Sequence, residues 1–327
     1  MNHDATYDDF PHWKGYQAFF PERARLTEAN RPTEERWQWR DVSVHLDRQE
    51  VADAPVKVIL VHGGGSNGRI ASPIGILLRQ HGYSSVSPDL PGYGVTTCAA
   101  RDVSYDNWIS IVADLVDAEI ERDGKPVVLL GASLGGMLAY QAACKSRKAA
   151  GVIATTLADP SDPDTRDQLA RNKLLARIGG PMLRGFRFMT DPMRVPIQWV
   201  SRMRLIANNP GIVELLIADR TAAGSWIPLR FMRTLMDSRP LIEPERFDLC
   251  PVLLAHPEID HMTPLHLSKK FFERLGGEKE LVILEKAGHM PLESPGIDLL
   301  ENAVLRFLRR VVAQRESTAP ARVSSLP

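Results

Sequence analysis

Val127-Val128-Leu129-Leu130-Gly131-Ala132-Ser133-Leu134-Gly135-Gly136 is the stretch on which the reading of this chain turns. Its first four residues are apolar and partly β-branched, the composition of a short strand covered on both faces, as in a parallel sheet. They run directly into a serine between small residues, in the pattern Gly131-x-Ser133-x-Gly135. That spacing suits a nucleophile elbow, a sharp strand-to-helix turn that lifts a serine hydroxyl clear of the sheet. A Cβ on either flank would collide with the adjoining strand or helix. The first amides of the next helix then lie beside the hydroxyl, where positive dipole ends meet a developing oxyanion. Glycine and serine are common, so the surrounding segments must decide what the pattern means.

Upstream, residues 56–61 form a continuous apolar run that ends in His62-Gly63-Gly64-Gly65-Ser66-Asn67-Gly68. A helix is expected over 73–81 and a strand over 83–87, closing at Asp89-Leu90-Pro91-Gly92-Tyr93-Gly94. Trp108, Ile111, Val112, Leu115 and Val116 fall at helical spacing. Earlier still, Trp37, Trp39, Val42, Val44 and Leu46 alternate with mostly polar residues, as in an edge strand or hairpin. After the serine comes a helix to about Cys144, then an apolar strand over 151–157. Strand and helix alternate throughout, which argues for an α/β fold with helices on both faces of a parallel sheet. In such sheets the active groups gather on loops at the carboxyl ends of the strands.

At Asp159-Pro160-Ser161-Asp162-Pro163-Asp164 the alternation breaks. No strong strand is visible from there to about residue 244, so 159–245 is read as an inserted helical cap. The core then occupies 35–158 and 246–314, with an N-terminal arm over 1–34 and a disordered tail over 315–327. The second part of the core carries strands at 252–255 and 281–284 and helices at 265–275 and 297–312.

A serine alcohol needs a general base, and the base needs a carboxylate that fixes its tautomer. Both belong on later strand-end loops, in the order serine, acid, histidine. His289 follows the strand at 281–284, behind Gly288, and is the candidate base. Asp260 follows the strand at 252–255 and is the candidate acid; Asp159 and Glu258 are its rivals. The oxyanion hole pairs the amide of Leu134 with that of Gly64 or Gly65. His62 and Asp89 are read as loop braces.

Taken together, His62-Gly63-Gly64-Gly65, Asp89-Leu90-Pro91-Gly92-Tyr93-Gly94, the Ser133 elbow, the Asp260 loop with Pro264, and Ala287-Gly288-His289 resemble the α/β-hydrolase fold superfamily over roughly residues 36–312. The resemblance implies an eight-stranded, mostly parallel sheet, a helical cap after the sixth strand, and a serine acyl-enzyme mechanism with no cofactor and no metal. Serine at the elbow sets the chain apart from the dehalogenase and epoxide hydrolase branches, which resemble this layout but carry aspartate there. The esterase, lysophospholipase and monoacylglycerol-lipase-like group is the nearest in character. The expected substrate is an apolar acyl or aromatic ester. The alternatives are C–C bond hydrolysis, lactone opening, acyl transfer or perhydrolysis by the same triad, or a ligand-binding protein that kept the fold.

Composition bounds the partners. Lys plus Arg and Asp plus Glu are both 40 in 327 residues, which gives no support for a nucleic-acid partner. Cys98, Cys144 and Cys250 show neither metal-ligand nor disulfide spacing, and a reducing cytoplasm is the simplest setting. The acidic, aromatic start does not read as a signal peptide, and no apolar run is long enough for a membrane span. Met182, Met189, Met193, Met203, Met232 and Met236 enrich the cap in adaptable apolar side chains. Met137, Trp199, Trp226, Met262 and Met290 are the candidate substrate contacts. The cap also carries Arg171, Lys173, Arg177, Arg184, Arg187, Arg194, Arg202 and Arg204 against a single Asp191 between residues 171 and 204. Such a mixture suits a weak contact with a lipid surface. Oligomeric state and the natural ester stay open.

Overall fold

A computed structural model describes residues 5–171 and 180–318. Its centre is an eight-stranded sheet in the order β1-β2-β4-β3-β5-β6-β9-β10, the strands being numbered along the chain. The strands are β1 (Thr33–Trp39), β2 (Val42–Gln49), β3 (Lys57–Val61), β4 (Ser84–Pro88), β5 (Val127–Gly131), β6 (Gly151–Ala154), β9 (Val252–Pro257) and β10 (Lys279–Leu284). The β1–β2 and β2–β4 pairs are antiparallel and every other pair is parallel. The alternation over residues 36–46 is therefore a hairpin, closed at Arg40 with φ of 50°.

The apolar runs explain the layering. Side chains alternate across a strand, so a run apolar at every position supplies two cores. Ile59, Val61, Val127 and Leu129 join the main core, while Val58, Leu60, Val128 and Leu130 join the other. The first is covered by the helices Tyr105–Asp123 and Leu134–Ser146, which bring in Trp108, Ile111, Leu138 and Tyr140. The second is covered largely by Leu300, Val304, Phe307 and Leu308 of the helix Gly296–Thr318. The helix Tyr105–Asp123 starts where Ser104 caps the Asn107 amide and stops at Gly124, whose φ is 73°.

The excursion between β6 and β9, read as a helical cap, is not built of helices alone. It holds the helices Pro163–Leu169, Pro210–Ala218 and Leu229–Asp237, but also a two-stranded ribbon of β7 (Arg194–Pro196) and β8 (Trp226–Pro228). Each of these strands is three residues long and ends in proline, too short for a periodic signal. The arm differs in its end: Thr33 and Glu34 already belong to β1. Trp13, Tyr16 and Phe20 of the arm are buried in the main core. The last helix continues through Thr318, so residues 315–318 of the expected tail are helical, and 319–327 lie outside the described residues. Lys173 and Arg177 of the basic stretch also lie outside them. Among the described residues no helix is long and apolar enough to cross a membrane.

Candidate active site

β5 ends at Gly131 and the next helix begins at Leu134, leaving two residues to reverse the chain. Ser133 makes the turn at φ 56° and ψ −130°, a strained conformation for a residue with a side chain. Its surroundings hold it there. A Cβ on Gly131 would lie 2.0 Å from the Gly135 carbonyl oxygen, and one on Gly135 would lie 2.2 Å from that of Val61. The Ser133 amide donates to Thr155 Oγ1 at 3.0 Å, and Thr156 Oγ1 donates to the Ser133 carbonyl at 2.9 Å. Threonines at the end of β6 thus fix both backbone groups of the turn, which the sequence reading did not single out.

The loops after β9 and β10 converge on the hydroxyl. His289 Nε2 lies 2.8 Å from Ser133 Oγ, and His289 Nδ1 lies 2.8 Å from Asp260 Oδ2. The other Asp260 oxygen accepts from the amides of Met262 at 2.9 Å and Thr263 at 2.7 Å. Asp260 and His289 are buried, at 5% and 4% exposure, so their mutual attraction is little screened by water. The rivals are engaged elsewhere: Asp159 accepts from Ser161, and Glu258 accepts from the Lys286 amide.

On the other side of the elbow stands the glycine loop after β3. A Cβ on Gly63 would come within 2.9–3.1 Å of Ala132 O, Ser133 Cβ and Leu134 N, so only glycine lets this loop lie so close. The braces are internal to the loops. His62 Nε2 accepts from the Leu90 amide at 2.9 Å, so its proton is on Nδ1, directed at the Gly63 carbonyl. Burial lowers the His62 pKa, in keeping with a neutral ring. Asp89 accepts from the amides of Gly68 and Val95 and from the Tyr7 hydroxyl. Gly65 turns through φ of 79° and packs toward Met203 and Ala223.

Two cavities meet at Ser133 and Gly64. The larger, about 1500 Å³ with its open mouth, lies under the excursion and includes Leu134, Met182, Trp199, Phe231, Leu235 and Met262 in its wall. The smaller is about 830 Å³, again with its open mouth, and includes Met290. Three of the expected substrate contacts, Trp199, Met262 and Met290, therefore border a cavity. Met137 does not: it is 1% exposed, one turn into the helix after the elbow, and packed in the main core. Trp226 borders neither cavity; it sits on β8, half exposed, with its ring 6.4 Å from that of Trp199. Leu235 was not singled out because the strong amphipathy of its helix, Leu229–Asp237, says only that one face is covered, and only the fold shows what that face meets.

An elbow serine beside a histidine and a carboxylate, at the carboxyl ends of a mostly parallel sheet, defines an α/β-hydrolase fold. The chain belongs to the alpha/beta hydrolase family, whose model matches residues 58–301. It is similar to the pimeloyl-[acyl-carrier protein] methyl ester esterase of Neisseria meningitidis serogroup A, 30% identical over 258 residues, covering 76% of this chain and 75% of the relative. Among solved structures it resembles the monoacylglycerol lipase of Paleococcus ferrophilus, with a TM-score of 0.63, 23% identity, and coverage of 82% of this chain and 98% of the other. It also resembles a soluble variant of the monoglyceride lipase of Saccharomyces cerevisiae, with a TM-score of 0.69, 17% identity, and coverage of 89% and 98%. The protein is a hydrolase.

Proposed function

We propose that this hydrolase cleaves carboxylic esters through a Ser133 acyl-enzyme. The observation that carries the reading is the unbroken pair of 2.8 Å contacts from Ser133 Oγ through His289 to Asp260 Oδ2. His289 accepts the Ser133 proton as Oγ attacks the ester carbonyl. Asp260 holds the ring with Nδ1 protonated and steadies its positive charge. The amides of Leu134 and Gly64 receive the oxyanion. Gly64 is preferred to Gly65 because Gly64 borders both cavities beside Ser133, whereas Gly65 borders neither. The intermediate collapses, His289 returns its proton to the departing alcohol, and a water activated by His289 then releases the acid. The name of the 30% identical relative, a methyl ester esterase, favours ester chemistry over the other reactions open to the same three groups.

The apolar wall of the larger cavity supports an acyl or aromatic acid part. Phe186, Phe188, Met189 and Met193 stand exposed near Arg187 and Arg194, which supports a weak contact of the cap with an anionic lipid surface. Sedimentation with anionic vesicles should carry the protein down, and failure to do so would remove that contact. The three thiols, unpaired as a reducing compartment would leave them, support action in the cytoplasm.

A fluorophosphonate probe tests the chemistry directly. Wild type should be labelled on Ser133, and Ser133→Ala should not. Unlabelled wild type would end the serine-nucleophile reading.

A further inference from the structure

The two cavities share only Gly64 and Ser133 among the described residues, and they are chemically unlike at that junction. Leu134, whose amide is assigned to the oxyanion, borders the larger one alone. His289 borders the smaller one alone. Resting on the ester-hydrolase reading above, we infer that the substrate is an ester with two apolar arms, the acid part in the larger cavity and a hydrocarbon-like alcohol in the smaller.

The assignment of arms follows from where the proton must go. When the tetrahedral intermediate collapses, the bond from the carbonyl carbon to the alcohol oxygen breaks and its electron pair stays on that oxygen. The proton on His289 Nε2 transfers to the same oxygen, so the leaving oxygen must lie within hydrogen-bond reach of His289. The rest of the alcohol then extends into the cavity that His289 borders. The acid part, bonded to the same carbon, is left the cavity beside Leu134.

The wall of the smaller cavity sets the chemical class. Away from the reacting groups it is formed by Ile70, Ile74, Leu292 and Ile297, with the Ser66 hydroxyl among its few polar groups. Its interior of about 100 Å³ still exceeds a methyl group, which would leave apolar wall uncovered. A polyol would bury hydroxyls with too few partners, at about tenfold or more in kcat/KM for each one left unpaired. Ile74 lies near the start of the helix Ser72–Gln80 and Leu292 follows the His289 loop. Neither touches the larger cavity.

Esters of one acid separate the arms. With methyl, n-butyl and glyceryl hexanoate, wild type should show kcat/KM at least about tenfold higher for butyl than for methyl, with glyceryl well below butyl. Ile74→Trp fills the smaller cavity and should collapse the butyl-to-methyl ratio, while Leu235→Trp in the larger cavity should lower all three esters together. Leu292→Phe gives a second test of the first effect should Ile74→Trp fail to fold, and fluorophosphonate labelling reports an intact elbow in each variant. An unchanged butyl-to-methyl ratio in a labelled Ile74→Trp or Leu292→Phe enzyme overturns the assignment, as does glyceryl hexanoate cleaved as well as butyl. A wild type that is neither labelled nor active on any ester defeats the underlying reading instead, and the arm assignment with it.

Discussion

Ser133, His289 and Asp260 come from loops far apart in sequence, and each is held by something nearer. Thr155 and Thr156 fix the Ser133 backbone, and the amides of Met262 and Thr263 orient the Asp260 carboxylate so that its free oxygen faces His289. The second point gives a sharp test. Asp260→Asn keeps the shape but offers an amide nitrogen or a poorer acceptor to Nδ1, which favours the wrong imidazole tautomer. We expect kcat on a reactive ester to fall by roughly 10⁴ with little change in melting temperature, a magnitude taken from the corresponding acid of serine proteases. A loss of less than tenfold would take Asp260 out of the mechanism. At the elbow, Gly135→Ala would drive a methyl group into the Val61 carbonyl, and the variant should lose both stability and labelling, read by thermal melting and probe incorporation.

Among the elements, the N-terminal arm ties the excursion to the core. Tyr16 donates to Asp219 at 2.6 Å; Asp219 in turn accepts from the amide and hydroxyl of Thr221. The Thr221 carbonyl accepts from the Gly94 amide and from the side chain of Asn67, which ends the glycine loop. Burial, with the Asp219 charge, raises the Tyr16 pKa well above its ordinary value, so the phenol stays a donor. Tyr16→Phe strips one partner from a buried carboxylate, at a cost of about 1–3 kcal/mol. Urea unfolding should show the lower midpoint, and kcat/KM should fall because the same chain of bonds steadies the glycine loop. A variant as stable as wild type would mean that Asp219 is satisfied without the arm.

Across the whole molecule, a buried charge network joins arm, sheet and loops. His45 Nε2 lies 2.9 Å from Glu34, and its Nδ1 lies 3.1 Å from Asp89. Arg69 pairs with Asp47 and Glu34 and lies over the Tyr7 ring. Burial opposes a charged His45, but Asp89, Glu34 and Asp47 outweigh it and raise its pKa from 6.5 to about 9. Burial likewise raises Glu34, yet His45 and Arg69 bring it down to about 2. A raised folded pKa stabilises below the unfolded value and loses that effect as pH rises through the folded one. The His45 contribution is thus complete below pH 6.5 and gone above about 9, whereas that of Glu34 is present above 4.5 and lost as pH falls through about 2. Melting temperatures of wild type should decline between pH 6.5 and 9, and His45→Gln should flatten that decline. An identical slope in the two proteins would dismiss His45 as its cause.

Much of this is legible in the sequence. Apolar runs at 56–61 and 127–130 announce buried parallel strands because burial on both faces removes the need for polar positions. The Gly131, Gly135 and Gly288 positions announce close backbone approach, and chain order together with strand-end position pointed to His289 and to Asp260 ahead of Asp159 and Glu258. Three things were not legible, each for a physical reason. Which methionines and tryptophans meet a cavity depends on the direction in which their element is packed: Met137 is buried away from both cavities, whereas Met262, in the same core, and Met290, packed against it, each border one. The ribbon of β7 and β8 is too short to impose a period. The arrangement of two cavities on either side of Ser133, with His289 on one and Leu134 on the other, joins segments more than two hundred residues apart, and local patterns carry no information about such distances. Local chemistry thus determined the fold and pointed to the proposed reacting groups, while only tertiary packing decided the shape of the space they face.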